Sequence, residues 1–263
     1  SVALIIFLPL TSAIVEITCK DRYFPIYAFA TIGLSIVVTL ESFDFTIFYV
    51  VPSIITGYLF GLFSKKNMPA FIALFAASVV QTAISLAFVP FIKFIFSADK
   101  DVIDYFCTLF NITDREYFNN FVILIFFLIA LIQTVLSYIV VNNELTRMKA
   151  KTPSNKDWTF VVNVSLISSI ILMVIFSFFY LPISYVCLGF AWFFAAFSLY
   201  YSIMRKDKVL IICIGSTLLV NLFLFGALNH LFQRGYEFLL LGIAPLLAGL
   251  LSLGFYFLKK QKQ

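Results

Sequence analysis

The chain is 263 residues long, with 62% hydrophobic residues, 12% charged residues and a mean hydropathy of +1.05. A water-soluble domain carries about 25% charged residues, so a soluble globular protein is excluded at the first step. The net charge of +5 does not mark a nucleic-acid partner: its basic residues sit in small clusters beside helix ends, where membrane topology alone requires them.

Nine apolar stretches follow one another: Val2–Thr18, Phe24–Leu40, Thr46–Phe63, Pro69–Phe96, Tyr117–Val141, Trp158–Tyr180, Ile183–Met204, Val209–Leu231 and Tyr236–Leu258. Most reach the ~20 residues that a helix needs to cross a bilayer core of about 30 Å. Backbone amides find no water there, so a spanning segment without barrel periodicity must be helical. The expected fold is an all-α, polytopic transmembrane bundle of about nine spanning helices. Of the 18 Lys and Arg residues, 14 occupy every second gap or the C-terminal tail. They are Lys20/Arg22, Lys65/Lys66, Arg147/Lys149/Lys151/Lys156, Arg205/Lys206/Lys208 and Lys259/Lys260/Lys262, whereas Lys93, Lys100, Arg115 and Arg234 belong to the other side. Short loops rich in Lys and Arg stay cytoplasmic, which orients the whole chain with its C-terminus inside and Ser1 outside. An odd number of spans with an outside start predicts a further helix upstream. The expected home is a bacterial inner membrane.

Taken in order, the first gaps are tight turns that force neighbouring helices antiparallel. Gly57 and Gly61 in the third stretch form a small-xxx-small pair, repeated as Ala73/Ala77 and Ala191/Ala195, that lets another helix approach closely. Pro9, Pro52, Pro90 and Pro245 fall inside apolar runs, where each removes a backbone hydrogen bond and bends its helix. The outer gap 97–116 carries Val102, Ile103, Phe106, Leu109 and Phe110 at helical spacing behind Asp99, Asp101 and Asp104. It predicts a short amphipathic helix, either an interfacial connector or a lid. Thr113 with Glu116 matches a capping box and starts the next helix near Asp114. Residues 142–157 form a basic, proline-containing cytoplasmic linker between a five-helix bundle, 1–141, and a four-helix bundle, 158–263.

Ionisable groups are scarce at depth. Glu16, Lys93, Arg234 and Glu237 lie near helix ends and are expected to snorkel to the interface. Four cysteines, Cys19, Cys107, Cys187 and Cys213, show no metal spacing, and only Cys107 and Cys187 could meet on the outer side as a disulfide. Uncharged polar residues do gather near mid-membrane: Gln81, Thr82 and Ser85; Gln133, Thr134 and Ser137; Asn163, Ser165, Ser168 and Ser169; Ser216, Thr217 and Asn221. Facing lipid they would be costly, so they point into the bundle. Two readings stand: interhelical hydrogen bonds, or a cavity of amides and hydroxyls around a small, polar, neutral solute. On the second reading Gln81, Gln133, Asn163, Ser168 and Asn221 line the site, with Asn229, His230 and Glu237 at its outer mouth. One histidine cannot build a multi-histidine metal site, and His-Glu-x-x-His, Gly-x-Ser-x-Gly and P-loop motifs are absent. No cofactor, metal or enzymatic activity is expected.

Phe7-Leu8-Pro9-Leu10 followed by Lys20-Asp21-Arg22, the glycine-bearing helix Val51–Phe63 closed by Lys65-Lys66, and Asn155-Lys156-Asp157-Trp158-Thr159-Phe160 together resemble the YybS-like bacterial membrane proteins. That family is similar to substrate-binding subunits of energy-coupling-factor transporters. The chain departs from the family pattern in lacking a proline soon after Trp158 and Phe160. The resemblance implies capture of a small solute from outside, beside a transmembrane coupling subunit and cytoplasmic ATPases, with Ala73/Ala77 as candidate docking faces. The leading expectation is therefore a transporter or transporter subunit in the lipid bilayer. The alternatives are a scaffold or regulatory subunit of an envelope complex and, third, an intramembrane enzyme using His230.

Overall fold

The structure, a computed structural model, describes residues 2–19, 21–38, 46–96, 115–150, 152, 158–228 and 238–260. Nine α-helices account for nearly all of them: α1 Val2–Thr18, α2 Phe24–Val38, α3 Val51–Lys65, α4 Ala70–Phe96, α5 Arg115–Arg147, α6 Thr159–Phe179, α7 Leu181–Met204, α8 Lys208–Leu228 and α9 Phe238–Lys260. No strand occurs among the described residues. The protein is an all-α membrane protein, but the expected nine crossings are too many. Among the described residues five helical segments, Ala70–Ala87, Ile123–Arg147, Thr159–Phe179, Leu181–Met204 and Leu240–Leu258, are long and apolar enough to cross a membrane. Helices α2 and α3 have 15 residues each, about 22 Å, against a core of about 30 Å. The third apolar stretch is cut because Thr46–Val50 winds as a π-turn before α3 begins. Pro52 then sits in the first turn of α3, where its missing N–H costs nothing.

Helix α5 begins at Arg115, next to the expected start, and runs six residues past its apolar stretch, to Arg147. Polar residues continue it because Glu144 and Arg147 pair at 2.9 Å one turn apart and the Thr146 hydroxyl donates to the Asn142 carbonyl. The amphipathic segment expected over 97–114 lies outside the described residues.

Three helix ends at basic turns close in one way. Asn67, Lys149 and Lys206 adopt φ of 51°, 54° and 57°. The next residue's N–H reaches back across the turn, Met68 to Phe63, Ala150 to Leu145 and Asp207 to Ser202, at 2.9–3.1 Å. This geometry satisfies carbonyls left over at the helix end. Cationic residues in the same turn complement the negative end of the helix dipole. The left-handed backbone costs a residue with a β-carbon about 1 kcal/mol. Lys206→Gly is therefore expected to gain roughly 0.5 kcal/mol net of glycine's extra chain entropy, read as a higher unfolding midpoint in detergent.

The chain divides into two compact units, Ser1–Asp101 with Ile125–Lys156, and Val102–Leu124 with Asp157–Gln263. In the first unit α3 lies against α1 and α4. The glycines of α3 set its distance from α1: a β-carbon on Gly57 would meet the Pro9 carbonyl and Ser12, and one on Gly61 would lie 2.7 Å from Glu16 Cβ. Ala73 and Ala77 are completely buried inside this unit. That removes them as exposed docking faces: the small side chains serve internal packing. In the second unit α9 meets α6, α7 and α8. Gly242 and Gly249, two turns apart, receive Met173 and Leu166 of α6. Pro245 denies Leu241 its usual helical donor, and the Trp192 indole of α7 supplies one at 3.1 Å. Cys187 of α7 is a free, buried thiol. The outward surfaces are strongly apolar: Phe29, Phe178, Phe179 and Phe223 are all about four-fifths exposed, which suits hydrocarbon and not water.

Candidate functional site

The described polar residues singled out from sequence fall in both units, and each unit is taken by itself. In the first unit Gln81 of α4 is buried, and its Nε2 donates to Gln133 Oε1 of α5 at 2.5 Å. The Thr56 hydroxyl of α3 points at Gln81 Oε1 from 3.5 Å. One turn away the Ser78 and Thr134 hydroxyls bond at 2.7 Å. Helices α4 and α5 are thus joined by two rungs of side-chain hydrogen bonds. Gln81→Leu is expected to cost about 1 kcal/mol in thermal stability, within the range for such bonds in membranes. Gln81→Leu with Gln133→Leu together should be nearly neutral, because no orphaned amide remains. Loss of stability equal to two independent bonds in the double variant would contradict this pairing.

The same unit holds an ionic group near the ends of α1 and α3. The Glu16 carboxylate there is fully buried against α3. Lys65 Nζ lies 2.9 Å from Glu16 Oε1 and 2.6 Å from Asp21 Oδ1, and also donates to the Cys19 carbonyl. Gly61 leaves the space Glu16 needs. The hydrogen bond and charge of Lys65 hold the Asp21 carboxyl below its ordinary value of 3.8. Glu16 Oε2 is buried without a partner.

In the second unit Asn163 of α6 is fully buried and donates from Nδ2 to the Ser252 hydroxyl of α9 at 2.7 Å. Ser168 does not join it. It is exposed, because five residues along an α-helix turn the side chain by roughly 140°. Ser169, one position on, is the buried one, donating to the Ser165 carbonyl.

Asn163 Oδ1 is buried without a partner, as is Asn221 Nδ2, but of the two only the Asn221 atom is a donor, and Asn221 lines a cleft. It is 4% exposed, and its Nδ2 is buried with no hydrogen-bond partner. It lines a cleft of about 180 Å³ between α8 and α9, with Ser216, Thr217 and Val220 on its own helix and Ile243, Ala244 and Leu247 opposite. The Thr217 and Ser216 hydroxyl protons are already donated to the Ile214 and Cys213 carbonyls, so both oxygens offer lone pairs there. A second, wholly apolar hollow of about 360 Å³ begins at Leu247 and follows α9 through Leu250, Leu251, Gly254 and Phe255 to Leu258. Sequence reasoning picked Asn221 and missed this hollow. Its signal was Gly254, a residue in a helix with nothing within 4 Å of where its β-carbon would sit. Asn229, His230 and Glu237 lie outside the described residues.

The chain matches no protein-family profile, no curated protein and no solved structure. Its own geometry therefore has to carry the functional argument. An amide donor held dry and unpaired costs about 1–3 kcal/mol, which an acceptor entering the cleft would relieve. Among the mid-membrane amides, Gln81, Gln133 and Asn163 each already have a side-chain partner through Nε2, Oε1 or Nδ2 respectively.

Proposed function

We propose that this protein is the membrane-embedded binding component of a transport system, and that it holds a small solute through a hydrogen-bond acceptor at Asn221. The observation that carries this reading is the unpartnered, buried Nδ2 lining the α8–α9 cleft. The hydroxyl oxygens of Ser216 and Thr217 beside it can accept from the same solute. The role is non-enzymatic: it is binding and hand-over, with a transmembrane coupling subunit and cytoplasmic ATPases as the partners of the working complex. The membrane is the bacterial inner membrane, with the cationic turns at Lys65, Arg147 and Arg205 on the cytoplasmic face, as the distribution of basic residues supports.

A specific observation also favours the second reading, a scaffold within an envelope complex. The Gln81–Gln133 and Ser78–Thr134 rungs use polar groups for packing and leave no need for a ligand there.

Native mass spectrometry after gentle extraction from cells separates the two. The transport reading expects a copurifying small molecule that is lost in Asn221→Leu and kept in Gln81→Leu. Recovery of protein partners with no small molecule, unchanged by Asn221→Leu, would replace it with the scaffold. Cysteine labelling at Lys65 and Lys206 should place both positions on one side of the membrane.

A further inference from the structure

The chemistry of the occupant follows from the two hollows taken together. The polar end offers one buried amide donor beside the Ser216 and Thr217 hydroxyl oxygens, and is otherwise lined by Val220, Leu224, Ile243, Ala244 and Leu247. The second hollow meets it at Leu247 and has no polar side chain along its length. From Ala244 to Leu258 the pair spans 14 helical positions, about 21 Å, more than the ~15 Å of one hydrocarbon leaflet. A wholly polar solute would leave this run of leucines unmatched. A partner helix seated here would have to bring a polar group to Asn221 and an apolar face to the leucines of α9.

We infer that the occupant is a glycerophospholipid of the surrounding bilayer. One ester carbonyl accepts from Asn221 Nδ2, and its acyl chain lies along Leu247, Leu251, Gly254 and Phe255. This rests on Asn221 being the ligand-binding group and names the class of ligand it takes. An ester carbonyl is an acceptor with an apolar chain directly attached, which is the order in which the donor and the apolar hollow follow each other along α9. The space over Gly254 is where the chain passes: nothing of the protein lies within 4 Å of a β-carbon there. Met173 and Leu166, by contrast, fill the corresponding space over Gly242 and Gly249.

Gly254 supplies the test, because a larger residue there fills the hollow without a clash. The full chain, delipidated in detergent, is titrated with palmitoyl-oleoyl phosphatidylglycerol and, separately, with dihexanoyl phosphatidylglycerol, and bound lipid is counted by native mass spectrometry. The long-chain lipid is expected to bind more than about tenfold tighter than the short-chain one. Gly254→Leu should abolish that preference, and Asn221→Leu should weaken the long-chain adduct about fivefold. Gly33→Leu, also placed in open space but on α2, should change nothing. Loss in Asn221→Leu with the long-chain preference fully retained in Gly254→Leu would keep Asn221 as a ligand site and overturn the acyl chain. Equal binding by wild type, Asn221→Leu and Gly254→Leu would overturn the site itself. A stoichiometric protein adduct in place of lipid would give the groove to a partner helix.

Discussion

Gly57→Ala is expected to destabilise the first unit by about 3 kcal/mol, the upper range for overpacking a well-filled interface. The added methyl runs into the Pro9 carbonyl and lies 2.6 Å from Ser12 Cβ. A carbonyl in the backbone of α1 cannot swing aside as a long side chain can, so the whole helix must move. Gly61→Ala meets Glu16 Cβ and Cγ at 2.7 and 2.8 Å and the Ala13 carbonyl at 3.0 Å. It should be nearly as damaging, and it also displaces the carboxylate from Lys65. Gly33→Ala is the control: its β-carbon has nothing within 4 Å, and it should lie within about 0.5 kcal/mol of wild type. Thermal unfolding in detergent reads all three. Equal midpoints for Gly57→Ala and Gly33→Ala would mean that α1 and α3 are not in close contact.

The second large effect is expected at Lys65. Lys65→Met leaves Glu16, with no exposed side-chain surface, facing no cation. Breaking a buried pair from one side costs about 3–5 kcal/mol, because the remaining charge has neither water nor partner. A quarter of the Lys65 side chain is exposed, so water already shares the ammonium and the lower end, about 3 kcal/mol, is expected. Adding Glu16→Gln should recover most of that loss, since the stranded charge is gone. The pair is then strongly non-additive, as groups in direct contact are. Additive costs in the double variant would show that the two side chains act independently. Asp21 contributes less, because it stands in water at the same ammonium.

Much of the architecture was legible because it depends on local properties. Segment length and apolarity decide where a helix forms in hydrocarbon, and the observed helices start and end within a few residues of the apolar stretches. The excess came from counting crossings. The apolar stretch 46–63 looked continuous, yet the turn over Thr46–Val50 shortens the helix that follows to 15 residues. Residues 142–147 looked like linker because they are polar, but one ion pair and one hydroxyl bond suffice to continue α5.

The polar residues were legible as a class and not as partners. Helical spacing put Gln81, Thr134 and Asn163 inside, where they are buried, but Ser168 and Ser216 are exposed, and the angle along the helix already separates Ser168 from Asn163. It could not say that Gln81 finds Gln133, that Asn163 finds Ser252, or that Asn221 finds nothing. Nor could it say that Glu16 turns inward to Lys65, 49 positions away. Composition and the rhythm of charge by themselves determined that this is a helical membrane protein and where its helices lie, because solvent choice acts on each segment separately. Only the tertiary structure decided which polar atoms are satisfied and which, such as Asn221 Nδ2, are left over. A hydrogen bond depends on a distance between residues remote in sequence, and one turn of a helix moves a side chain onto or off its partner.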